Sequence, residues 1–121
     1  QDTCPSGPAL DCPAVQAAAL GAERLLARMA DDGVQHVVYF FYADATANDA
    51  LRAGIDVLRP LVENACGRSP VPCHWLDLRP VFAGHYAEYV TGVDGIVFSD
   101  AGARAAAEAI WSLVEERCIA P

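Results

Sequence analysis

The stretch VQHVVYFF, Val34 to Phe41, decides how this chain folds. It is β-branched and aromatic, and its centre is nearly continuously apolar. A strand with one wet face would alternate apolar and polar side chains. This one does not, so it reads as a strand covered on both faces, as in a parallel sheet. His36 sits within it and reads as a packed or edge histidine. A second, shorter strand is expected at HWLDL, His74 to Leu78.

Helical patterns surround these two strands. Pro13 suits a first helical position. From there Val15, Ala18, Ala19, Ala22, Leu25, Leu26 and Met29 recur at helical spacing, and Gly33 suits a left-handed stop. Asn48 is a good N-cap for a second helix, with Asp49 at its positive end. Leu51, Ile55, Leu58 and Val62 form its apolar stripe, and Pro60 is expected to kink or split it. Ser99 caps a last helix running to about Arg117, with Ala106, Ala109, Ile110, Leu113 and Val114 inward. Arg79 to Phe98 shows no periodicity and reads as a long functional or mobile loop. The order helix, strand, helix, strand, helix predicts an α/β fold with right-handed crossovers.

Composition narrows the function. The chain has 121 residues, room for a single domain (1–121) or part of one. A hydrophobic fraction of 54% and a mean hydropathy of +0.21 exclude intrinsic disorder. No apolar run is long enough for a membrane span. Eight arginines, no lysine and 16 acids give a net charge of −8, which repels a nucleic-acid backbone.

Five cysteines, Cys4, Cys12, Cys66, Cys73 and Cys118, are many for a cytosolic enzyme, and none has C-x-x-C spacing. They point to an oxidising compartment, periplasmic or secreted. Cys66 and Cys73 flank a turn-rich loop, and so do Cys4 and Cys12, which leaves Cys118 over. A start at Gln1 without Met is expected to be a processed or cut end. His74, beside Cys73, is expected to belong to the disulfide corner.

Two parallel strands have four faces and two edges to protect. Three Ala-rich helices cannot bury Val37, Val38, Phe40 and Phe41 without further strands alongside. The expected partner is therefore a second chain or an N-terminal segment that completes the sheet.

Ligands of open α/β sheets bind beyond the carboxyl ends of the strands. Tyr42-Ala43-Asp44 and Asp77-Leu78-Arg79 lie at such ends. A phosphoacceptor role for Asp44 or Asp77, as in a receiver domain, is set aside because the chain has no lysine to bind the phosphoryl group. The loop before the last helix adds His85, Tyr86, Glu88, Tyr89 and Asp94. Its end, DGIVFSDAG at Asp94 to Gly102, runs into Arg104 to Trp111.

This segment resembles the closing motif of SGNH (GDSL-type) hydrolases, D-G-x-H-P-x-x-x-G, which leads into a terminal helix. Val34 to Phe41 and WLDLRPVF, Trp75 to Phe82, also resemble later strands of that family. The likeness spans most of residues 13–118. It implies a three-layer α/β/α, flavodoxin-like SGNH fold, incomplete in this chain, and the C-terminal part of a secreted hydrolase of carboxylic esters such as acyl lipids or acetylated sugars. No cofactor or metal is implied.

That family uses a Ser nucleophile, a His base and an Asp that orients the His. By this resemblance Asp94 matches the triad Asp, and the His position falls on Val97, which can neither take nor give a proton. The G-D-S nucleophile motif and the oxyanion-hole motifs are absent, so both are expected on a missing N-terminal segment. His85, nine residues before Asp94, is the candidate substitute base. The alternative is a non-catalytic binding or structural module on the same scaffold.

Overall fold

The computed structural model describes residues 12–92 and 95–119. Helix α1 (Pro13–Asp31) leads to strand β1 (Val37–Phe41), helix α2 (Asp49–Gly67) and strand β2 (Cys73–Asp77). Two single-turn helices follow, α3 (Arg79–Phe82) and α4 (Tyr86–Tyr89). A small hairpin of β3 (Val90–Thr91) and β4 (Val97–Phe98) precedes helix α5 (Asp100–Glu116). The α/β class and the order of the five main elements agree with the sequence. Cys4 and Asp94 lie outside the described residues.

β1 and β2 pair in parallel, with Val37 opposite Cys73 and Phe41 opposite Asp77. Side chains alternate across the pair. On one face Val37, Tyr39, Phe41 and Trp75 meet Ala22 and Leu26 of α1 and Ile55 and Val62 of α2. On the other face Leu76, Leu78 and Ala43 meet Phe82 of α3 and Ala106 of α5. Helices thus pack against both faces, leaving Phe40 exposed.

The first strand begins three residues later than its sequence suggests, because the end of α1 takes Val34. Gly33 donates to the Ala30 carbonyl and Val34 to the Met29 carbonyl. Gly33 sits at φ +83°, which completes this left-handed helix stop. His36 therefore lies ahead of β1 and exposed, rather than inside the strand. β2 runs from Cys73 to Asp77 rather than from His74 to Leu78.

Pro60 neither splits α2 nor ends it. It lies on an exposed face, where the carbonyl of Asp56 that it leaves unbonded can meet water. Asn48 caps α2 by accepting from the Leu51 N–H at 3.0 Å, as its type predicts.

The stretch from Arg79 to Phe98 is ordered by packing, not periodicity. Phe82 is fully buried and its ring contacts those of Tyr86, Tyr89 and Phe98. Ser99 ties this cluster to α5. Its hydroxyl donates to the Glu88 carbonyl and accepts from the Gly102 N–H at 3.1 Å. Gly102 is buried against the Tyr89 carbonyl, where a Cβ would not fit.

A Cys66–Cys73 disulfide joins the end of α2 to the start of β2. Cys12 is also disulfide-bonded, and Cys118 is a free, exposed thiol. Reducing the Cys66–Cys73 bond removes a closed loop of seven-residue separation. Replacing both cysteines with Ser is expected to lower unfolding free energy by roughly 2–3 kcal/mol, read from the urea midpoint.

Candidate functional site

Two regions gather at the carboxyl end of the parallel strands, one polar and one apolar. Their position follows from the fold: both strands point the same way, so their ends and the loops that follow converge.

The polar region is built around Arg59. Its spacing from Ile55 and Val62 places it on the apolar stripe of α2, and only 4% of it is exposed. Its Nη1 donates to the Tyr42 carbonyl at 2.7 Å, just past the end of β1. The same nitrogen lies 3.7 Å from Asp77, and Nη2 lies 3.9 Å from Asp44. The guanidinium also sits over the Phe41 ring, 5.3 Å from its centroid. Nε and Nη2 have no hydrogen-bond partner among the described residues. Burial pulls the Arg59 pKa down, and Arg79 adds to this, against the opposing pull of Asp77, Asp44 and Asp56. An arginine nevertheless stays charged in a protein.

Asp77 does a different job. Its carboxylate accepts the Arg79 backbone N–H at 2.9 Å, which starts α3, and takes the Arg79 side chain at 2.7 Å and 3.0 Å. The hydrogen bonds from the Arg79 side chain hold the Asp77 carboxyl below its ordinary range, against the effect of burial. A recess of about 390 Å³ opens beside this cluster, lined by Asp44, Arg52, Asp56, Arg59, Glu63 and Arg79 among others.

The apolar region is a recess of about 430 Å³ lined by Tyr39, Phe40, Phe41, Tyr42, Ile96 and Phe98. It lies along the outer edge of β1. Val37 donates its N–H to the Pro72 carbonyl toward β2. By alternation Val38 and Phe40 turn their N–H and C=O groups away from β2. Among the described residues no strand pairs with that edge. Phe40 is 45% exposed and Tyr42 48%. The helices leave this edge uncovered.

The residues singled out from sequence fare differently. His85 is exposed and sits at the start of α4. Its Nδ1 lies 3.0 Å from Glu88, and its ring stacks on Tyr89 at 5.0 Å between centroids. It lines neither recess. Val97 is 59% exposed in β4. Ser69 bonds the Val71 N–H and Ser99 caps α5, so both hydroxyls serve the backbone. Tyr86 and Tyr89 pack on Phe82, and the Tyr86 hydroxyl accepts from the Asp44 N–H at 3.3 Å.

His74, next in sequence to the disulfide's Cys73, meets His36, Nε2 to Nδ1 at 3.1 Å. Among the described residues, no group of three or more His, Cys, Asp or Glu side chains is arranged to hold a metal ion. No helix of the described residues is long and apolar enough to cross a membrane. Comparison with known proteins finds no matching family model, no similar curated protein and no similar solved structure.

Sequence reading passed over Arg59. Its signal was present, since an arginine four residues after Ile55 and three before Val62 must either break the apolar face or be buried with partners. Two outcomes test the cluster. Arg59→Met leaves Asp44 and Asp77 without their buried cation. It is expected to cost up to about 3 kcal/mol, the low end for a broken buried pair. The low end applies because Asp44 and Asp77 keep 30% and 29% of their side-chain surface. Asp77 has a lowered folded pKa, so its stabilisation is complete above its ordinary value of 3.8 and fades as pH falls through the folded value. Acid titration of stability is expected to flatten in Asp77→Asn over that range.

Proposed function

We propose that this chain is part of an SGNH-type α/β hydrolase, flavodoxin-like in topology, that cleaves carboxylic esters outside the cytoplasm. In this reading another segment or chain supplies the neighbouring strand, the Ser nucleophile and the oxyanion hole. The observation that carries it is the charge-free outer edge of β1, which pairs with no strand among the described residues, with the apolar recess along it. An edge strand that stays in water is normally short, charged or bulged. Val37 to Tyr42 is VVYFFY, with no charge and no proline.

The recess suits the acyl part of an ester. It is mostly apolar, concave, and placed at the carboxyl end of the sheet, where α/β enzymes hold substrate. The Cys66–Cys73 disulfide supports an oxidising compartment. The resemblance at Asp94 to Gly102 supplies the reaction class, with Asp94 in the orienting position. His85 serves in this reading as the base only if the loop carrying it moves away from Glu88.

A second reading has its own observation. Val97, where the family has its histidine, is an exposed valine. A scaffold of this kind without a base would bind a ligand and leave it intact.

Hydrolysis of p-nitrophenyl butyrate by the full-length secreted protein separates the readings. The hydrolase reading predicts turnover that falls at least about 100-fold in Asp94→Ala. It also predicts loss of activity in Phe40→Asp, which puts a charge on an exposed edge position without entering the core. No turnover by the full-length protein, with the ester still bound, would overturn it in favour of the binding module.

A further inference from the structure

At the opposite end of the sheet from both recesses, three side chains from three elements meet. His36 precedes β1, His74 is the second residue of β2, and Arg117 caps the C-terminal end of α5. His36 Nδ1 and His74 Nε2 are 3.1 Å apart, and Arg117 Nη1 is 3.3 Å from His74 Nδ1. The two rings lie tilted, with centroids 5.3 Å apart. We propose that these residues form a proton-operated latch, which holds the end of α5 to the base of the sheet near neutral pH and releases it in mild acid. The inference does not rest on the hydrolase reading.

The chemistry allows one arrangement. A guanidinium only donates, so His74 Nδ1 must carry a lone pair to face Arg117. A neutral His74 then carries its proton on Nε2 and donates it to His36 Nδ1. That nitrogen must also be a lone pair, so His36 holds its proton on Nε2. Both rings are neutral, and the chain runs Arg117 to His74 to His36.

One added proton breaks it. If His74 is protonated, its Nδ1–H points at the Arg117 N–H groups. If His36 is protonated, its Nδ1–H faces the proton on His74 Nε2. His74 can then accept from His36 only by moving its own proton to Nδ1, against Arg117. Protonation of His74 breaks the link to α5, and protonation of His36 breaks either its own link to His74 or, if the His74 proton moves, the link to α5.

The local electrostatics act in the same direction. Burial lowers the His74 pKa, and Arg117 and then His36 lower it further. Among the described residues these two are the charged or titratable groups acting on the ring, one from α5 and one from the approach to β1. A lowered folded value means that the stabilisation is complete above the ordinary imidazole pKa of 6.5. It is lost as pH falls through the folded value.

The latch acts on the last turn of α5 and the residues just past it. That turn closes through Cys118 at φ 52°, an uncommon conformation for a residue with a side chain. Cys118 donates to the Glu115 carbonyl and Ile119 to the Val114 carbonyl. A transition ion bridging the two histidines would need the His74 proton on Nδ1, against Arg117, so it competes with the latch.

Imidazole NMR titration combined with amide hydrogen exchange tests the proposal in the intact protein. His74 should titrate below the ordinary value and move upward in Arg117→Ala. Protection of the amides at Arg117 to Ile119, corrected for intrinsic rates, should fall about two- to tenfold through the same midpoint. That pH dependence should vanish in His74→Phe and, should that variant fail to fold, in His74→Gln. Three results would overturn the latch. One is a His74 midpoint unchanged in Arg117→Ala. Another is protection that ignores the imidazole titration. The third is tight Zn²⁺ binding by both rings at neutral pH with Arg117 present.

Discussion

A charge-free strand in a two-stranded parallel pair is the constraint on which the rest depends. β1 and β2 hydrogen-bond to each other and bury their faces between α1 and α2 on one side and α5 with its preceding turns on the other. Each strand still keeps an outer edge of peptide groups. On β1 that edge is bordered by half-exposed aromatic rings. Peptide groups without a partner are tolerated only where water reaches them, and large apolar surface in water is costly. Both pressures act on the same few residues, and one added strand would relieve both.

The carboxyl end of the sheet is held by charge as well as by apolar packing. Arg59 reaches up from α2 to grip the Tyr42 carbonyl, and Asp77 binds Arg79 to begin α3. These contacts fix the loops after both strands in place. The opposite end is held by the two histidines and Arg117. The sheet is therefore fastened at one end by an arginine–carboxylate cluster and at the other by two imidazoles and an arginine.

The main elements were legible because long periodic patterns and caps agree. Asn48, Ser99 and Gly33 each mark a helix end where the structure has one. The α3, α4 and β3–β4 segment was not legible. Elements of two to four residues carry no period, and Phe82 orders them through contacts with Tyr89 and Phe98 that only the fold brings together. His36 and His74 are 38 residues apart in sequence, so their pairing depends on strand register, which sequence does not print. Asp94 came from the family resemblance and His85 from its place in the same loop, and His85 stands with Glu88 and Tyr89 instead of lining a recess.

Hydrogen exchange at β1 in the full-length protein tests the central claim most directly. Val37, Tyr39 and Phe41 point their N–H groups at β2 and should exchange slowly in any case. A completed sheet predicts that Val38 and Phe40 exchange as slowly as these neighbours. Fast exchange confined to Val38 and Phe40 would contradict it, and would show an outer edge that remains in water.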